Sequence, residues 1–229
     1  YFIGAGLTGI CLYYLLENIA LTFTMASNVG VILAVAPFFT GLAVYFFMRE
    51  GERLTVGLFV GFAVALVGIA FISFNGTKLQ LNPIGDMLAI FAAMVWAVYS
   101  LCTRKIANLG YATLPATKRI FGYGIIFMIP AMGIFHFNMD FSKLADPTNI
   151  FCLAFLGLGA SAICFVSWNY ALKLIGIVAS SVYIYIGPVI TVVAAAVILH
   201  EPITMMMAVG TVLTLAGMVI SEFVKIKEL

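Results

Sequence analysis

The chain has 229 residues, of which 64% are hydrophobic and only 9% charged, with a mean hydropathy of +1.18 and a net charge of +2. A soluble domain carries roughly 25% charged residues, so this composition excludes an ordinary water-soluble globule and describes a chain built for lipid. The basic residues sit at the ends of apolar segments, which excludes a nucleic-acid surface, and the isolated cysteines Cys11, Cys102, Cys152 and Cys164 exclude a disulfide framework or a metal site.

A bilayer core about 30 Å thick needs about 20 apolar residues of helix. Eight segments meet this, at 1–21, 27–48, 55–74, 84–104, 119–137, 150–172, 177–199 and 204–224, and predict an all-α polytopic membrane protein. Turn or charge chemistry separates them: Arg49 to Arg53, Asn75-Gly76, Asn108 to Gly110, Asp140 to Asn149, and His200-Glu201-Pro202. Loops this short make neighbouring helices antiparallel.

The first segment carries Tyr13, Tyr14, Glu17 and Asn18. A carboxylate within a membrane segment costs about 2.5–3.5 kcal/mol at mid-depth and is functional by default. Three roles are open to Glu17: exchanging a coupling proton, facing a cationic substrate, or capping the span at the outer interface. The Asn18 amide binds substrate or bonds a neighbouring helix, and Asn28, early in the second segment, is a weaker case of the same kind.

Pro37 stands mid-way along that second segment, where it deletes a backbone hydrogen bond and kinks the helix. The third segment carries Gly57, Gly61 and Gly68, and such small residues permit close approach to another helix or to a second copy in a homodimer. The fourth begins at Gly85-Asp86, carries Trp96 and Tyr99, and closes on Arg104-Lys105; the fifth follows Lys118-Arg119. The sixth carries Trp168, Asn169 and Tyr170, and the seventh Ser180, Ser181, Tyr183, Tyr185 and Pro188. Gly210 and Gly217 mark the eighth.

Lysine and arginine placement sets the orientation. Arg49, Arg53, Arg104, Lys105, Lys118, Arg119, Lys173, Lys225 and Lys227 fall on one side, against Lys78 and Lys143 on the other. The first group is expected in the cytoplasm with the C-terminus, and the chain in the inner (cytoplasmic) membrane.

The sequence also repeats itself. Glu17-Asn18-Ile19-Ala20-Leu21 returns as Trp168-Asn169-Tyr170-Ala171-Leu172, Pro37 as Pro188, Glu52-Arg53-Leu54-Thr55 as Glu201-Pro202-Ile203-Thr204, and Gly61/Gly68 as Gly210/Gly217. An odd number of spans separates the copies, so they cross the bilayer in opposite directions, as the inverted halves of secondary transporters do. The expected division is a partial first repeat at 1–76, holding its third to fifth helices, and a complete inverted second repeat at 77–229. By that symmetry two helices would precede Tyr1.

These motifs (paired Asn-x-Ala-Leu, mid-helix proline, Glu-x-[Leu/Ile]-Thr and Gly-x6-Gly, with Gly85-Asp86-Met87-Leu88-Ala89 opening the second copy) resemble the EamA domain of the drug/metabolite transporter superfamily. The resemblance implies a ten-helix fold of two inverted five-helix halves around a central cavity. It also implies a carrier of small metabolites, like the superfamily's amino-acid exporters, with sugar phosphates, nucleotide sugars and organic cations among its other substrates.

On that resemblance the aromatic residues Tyr13, Tyr14, Trp96, Tyr99, Trp168, Tyr170, Tyr183 and Tyr185 lie on cavity-lining helices. An aromatic pocket with a few polar groups suits an amino acid or an amine. The same residues also fit an interfacial belt, Trp168 and Tyr170 above all. The candidate cavity set is Tyr13, Glu17, Asn18, Asn28, Trp96, Tyr99, Asn169, Ser180, Tyr183 and Tyr185, with Pro37 and Pro188 as kinks that gate it. The absence of a Walker-type phosphate loop removes ATP hydrolysis from this chain, leaving a substrate gradient or protons to drive transport. No catalytic cluster, metal set or cofactor motif is present, so an enzyme is not expected. The partners are a small molecule and the bilayer.

Overall fold

A backbone in lipid must satisfy its own hydrogen bonds, which a helix does within a single segment. The computed structural model describes residues 1–24, 26–48, 56–73, 82–135, 146–198 and 204–226, and among these no strand occurs. Helix α1 spans Phe2–Phe23, α2 Ala26–Leu33, α3 Ala36–Phe47 and α4 Val56–Ser73. Pro83–Asn108 forms α5, Thr113–Ile134 α6 and Pro147–Ile175 α7. The chain continues through α8, Ile177–Val182, α9, Ile186–Ile198, and α10, Met205–Ile226. Three of these, α1, α5 and α7, are long and apolar enough to cross a membrane on their own.

Local chemistry sets the starts of the two longest helices. Asn82 accepts from the Ile84 and Gly85 amides at 3.1 and 3.3 Å, and Asp146 accepts from the Thr148 amide at 2.8 Å. Each is followed by a proline, Pro83 or Pro147, at the first helical position, where a missing N–H costs nothing. Gly176, with φ of 90°, ends α7 and lets the chain turn into α8.

The mid-helix prolines predict a kink or a broken segment in 27–48 and 177–199; the structure breaks the first and tightens the second. Pro37 has no N–H to offer the Leu33 carbonyl, and the chain turns at Ala34-Val35, with Val35 N–H donating to Ile32 at 3.0 Å. Pro188 leaves the Ile184 carbonyl in the same position, and Tyr183–Tyr185 tighten into a 3-10 turn between α8 and α9. A second irregularity is also duplicated. Gly6–Leu12 in α1 and Phe155–Ile163 in α7 are π-helical, each one turn or so before its Asn-x-Ala-Leu.

Helix α6 begins at Thr113 rather than at 119. Lys118 and Arg119 interrupt the apolar run, not the helix, and stay exposed on its early turns. Likewise Arg104 and Lys105 belong to the last turns of α5. The breaks expected at 49–53, 75–76 and 200–202, and the repeat boundary at 76/77, lie outside the described residues.

Helices α4 and α10 form the most extensive helix contact, running antiparallel. A methyl group on Gly68 would stand 2.6 Å from the Gly210 carbonyl, and one on Gly61 2.5 Å from the Gly217 carbonyl. Four of the glycines expected at a close approach thus meet one another inside the chain instead of facing a second copy. Helix α5 runs through the middle of the bundle, against α1, α2, α3 and α7.

Candidate functional site

Where α1, α5, α6 and α7 meet, the interior is aromatic. Trp96 on α5 is the hub, with ring centroids 4.9 Å from Tyr13, 5.0 Å from Tyr99, 5.5 Å from Phe165 and 5.4 Å from Trp168. Tyr14 stacks on Phe165 at 6.0 Å, and Phe121 of α6 meets the same ring edge-on at 5.2 Å. Trp168 packs against two separate apolar clusters and joins them.

A polar thread runs through these rings. The fully buried Tyr99 donates its hydroxyl proton to Asn169 Oδ1 at 2.7 Å, and Asn169 Nδ2 donates to Thr117 Oγ1 at 3.0 Å. One amide thereby ties α7 to α5 and α6. Tyr14 and Ser161 share a hydroxyl–hydroxyl bond of 2.9 Å between α1 and α7. Glu17 lies one turn beyond Tyr13 on the same face of α1. Trp96 Nε1 and Trp168 Nε1 are buried and have no hydrogen-bond partner among the described residues. Beside Asn169, a narrow cleft of about 20 Å³ is lined by Thr103, Ile106, Tyr111, Thr113 and Ala116.

The expected site residues therefore separate into groups. Tyr13, Glu17, Trp96, Tyr99 and Asn169 come together, joined by Trp168, which the sequence places equally well in an interfacial belt. Tyr185 is fully buried at the second helix irregularity, packed near Phe38, Leu58, Phe59 and Phe62 with no room for a water between them. Its hydroxyl and that of buried Thr40 on α3 have no partner among the described residues. Asn18 is exposed and donates to the Tyr14 carbonyl of its own helix at 2.7 Å. Ser180 donates to Gly176 and Ser181 to Val178, so both hydroxyls bond their own helix. Tyr183 is 48% exposed on the outside of the bundle, and the Asn28 side chain lies outside the described residues. Thr117, Ser161 and Phe165 belong to the assembly although nothing in their spacing singled them out.

The EamA-like transporter family model matches residues 1–74 and 83–223. The chain belongs to the EamA-like transporter family. An uncharacterised transporter of Archaeoglobus fulgidus is 29% identical over 215 residues, covering 92% of this chain and 72% of its own. A probable terminal-alkyne amino-acid exporter of Streptantibioticus cattleyicolor is also 29% identical over 215 residues, covering 94% and 70%. A solved crystal structure superposes with a TM-score of 0.75 over 99% of this chain and 77% of the other, at 20% identity, which speaks to the fold alone.

As an EamA-like transporter, the chain is a multi-pass membrane protein, and its outer surface fits that environment. Ile125, Ile126 and Ile129 on α6, and Phe151, Phe155 and Leu158 on α7, are each more than half exposed. Apolar surface of that extent is what lipid covers.

Proposed function

We propose that the chain is a secondary carrier that exports amino acids or related amines across the cytoplasmic membrane by alternating access. Its eight predicted spans belong to two inverted repeats, with the C-terminus in the cytoplasm. The observation that carries this reading is the pair of interrupted helices, α2–α3 ahead of Pro37 and α8–α9 ahead of Pro188. Matched interruptions in two halves mark the binding region of a secondary transporter, because broken backbone is tolerated in lipid only where protein or a cavity covers it.

Two further features support it. The α4–α10 contacts are reciprocal: Gly61 meets Gly217 while Gly68 meets Gly210, and Gly61 meets Ser221 while Gly210 meets Ile72. Self-complementary contact of this kind is what a two-fold relation between halves produces. The aromatic interior around Trp96, with Glu17 at its edge, suits an amino acid or an amine better than a sugar phosphate, which calls for basic residues at mid-depth.

The test is counterflow by the full-length protein in liposomes, using labelled amino acids, amines and sugar phosphates. Saturable exchange of an amino acid or amine is expected. Exchange of a phosphorylated sugar alone would overturn the substrate class, and flux proportional to gradient without saturation would overturn the carrier.

A further inference from the structure

The two indole N–H groups at the centre of the bundle are the least explained polar atoms near the site. Trp96 and Trp168 stand 5.4 Å apart between ring centroids, and each Nε1 is buried without a partner. An indole N–H can only donate, so neither can satisfy the other. Buried polar groups in folded proteins are paired with few exceptions, and an exception calls for a cause. Asn169 Oδ1 accepts from Tyr99, and the hydroxyls of Tyr14 and Ser161 bond each other, so among the described residues neither indole N–H finds an acceptor. The pair therefore fits a ligand that brings its own acceptor.

The other half of the site has the opposite character. Glu17, an acceptor when ionised, lies one turn beyond Tyr13 on the same face of α1, and the Tyr13 ring packs on Trp96 at 4.9 Å. The row Trp168, Trp96, Tyr13, Glu17 is thus continuous, with free donors at one end, aromatic faces between, and an anionic group at the other.

We propose that this row reads both ends of a free α-amino acid: the substrate carboxylate accepts from Trp96 Nε1 and Trp168 Nε1, while its ammonium faces Glu17 and the Tyr13 ring. The proposal rests on the carrier reading and narrows its substrate class to amino acids with both groups free, over decarboxylated amines and N-acylated acids. Carboxylate recognition by neutral donors needs no buried arginine, which fits an interior without one among the described residues. The side chain leaves the α-carbon beside these rings, whose faces suit an apolar or aromatic group, while the Tyr13 face attracts the ammonium.

The test uses full-length protein in liposomes and three related ligands: an amino acid that exchanges, its decarboxylated amine, and its N-acetyl derivative. The readout is the ratio of half-saturation concentrations, so a variant that merely lowers the amount of folded carrier does not move it. Wild type should favour the amino acid over either analogue by about tenfold to a hundredfold, the value of one charged hydrogen bond. W168F and W96F keep an aromatic ring and lose the N–H; each should shrink the preference over the amine and leave the preference over the N-acetyl derivative. E17Q should do the reverse. If W96F yields too little folded protein, W168F alone decides the carboxylate end.

Wild type exchanging the amine as well as the amino acid would overturn the proposal while leaving the carrier intact. Tryptophan variants that weaken all three ligands equally would overturn it too, since that is what lost packing does. No exchange of any of the three would remove the amino-acid carrier reading itself, and the proposal with it.

Discussion

The α4–α10 seam is the part of the fold whose tolerance can be worked out from distances. A β-carbon on Gly68 would lie 2.5 Å from the Thr214 amide nitrogen and 2.6 Å from the Gly210 carbonyl oxygen. Both are backbone atoms of a packed helix, so Gly68→Ala must push the helices apart by roughly an ångström, the gap to ordinary contact. Overpacking of this size costs about 1–3 kcal/mol, against a gain of about 0.8–1.0 kcal/mol in helix propensity for alanine over glycine. A net loss of up to about 2 kcal/mol lowers the melting temperature by up to about 8 °C for a chain of this length. Gly122 on α6 is the control, because nothing lies within 4 Å of its added carbon, and Gly122→Ala should leave the midpoint unchanged or raise it. The assay is thermal unfolding in detergent, followed by loss of the monodisperse peak. The two-fold reading adds that Gly217→Ala should match Gly68→Ala. A Gly68→Ala protein as stable as the Gly122→Ala protein would refute the intimate seam and the reciprocal contacts inferred from it.

Three other outcomes follow from single contacts. Arg104 donates through Nη1 to the Leu172 carbonyl at 2.5 Å and the Lys173 carbonyl at 2.9 Å, so Arg104→Ala should cost about 1 kcal/mol by freeing the end of α7; an unchanged midpoint beside exposed Lys118→Ala would show the cap to be idle. Tyr99→Phe leaves the buried Asn169 oxygen without its donor and should cost about 1–3 kcal/mol, with a double-mutant cycle against Asn169→Ala giving a coupling of at least about 0.5 kcal/mol; additive losses would contradict the hydrogen bond. Pro188→Ala restores an N–H opposite the Ile184 carbonyl, so the expected result is a more stable protein with slower counterflow, and an unaltered exchange rate would remove the helix break from the transport cycle.

Much of this architecture was legible in the sequence, for reasons that differ by element. The prolines announced their helix irregularities because a missing N–H acts wherever the residue sits, but whether each becomes a break, as at Ala34-Val35, or a tightened turn, as at Tyr183–Tyr185, depends on packing. The helix starts at Asn82-Pro83 and Asp146-Pro147 are set by equally local chemistry, but an apolar run alone places them a little late, at 84 and 150. The π-helical turns were not, since a widened turn leaves no fixed residue pattern. Of the site, the aromatic residues could be picked out by type, but not sorted. Trp96 and Tyr183 look alike in sequence, one being the hub of the interior and the other half exposed. The bond from Tyr99 to Asn169 joins residues on separate helices, so only folding decides that Asn169 is buried while Asn18, its counterpart in the repeat, is exposed.

That last contrast bears on how such a bundle could bind anything in one orientation. A two-fold related pair of helices with matching side chains would offer a ligand the same groups from both sides, and a symmetric site cannot tell a carboxylate from an ammonium. Here the positions that correspond across the repeat have diverged where they approach the interior. Glu17 on α1 answers to Trp168 on α7, an acceptor against a donor, and Tyr14 answers to Phe165, a ring with a hydroxyl against a ring without. The backbone irregularities are kept in both copies: the π-helical turns, the breaks before Pro37 and Pro188, and the glycines of the seam. Symmetry resides in the parts that would move, and asymmetry in the side chains that would hold a substrate. Exchanging the two groups tests that division directly. A Glu17→Trp/Trp168→Glu double variant should lose amino-acid exchange because Trp96 would then stand beside a protein carboxylate, and it should also melt lower because Trp168 joins two apolar clusters; Trp168→Phe, which keeps the ring, separates the two effects. Exchange at the wild-type rate would mean that the polarity of this row has no part in recognition.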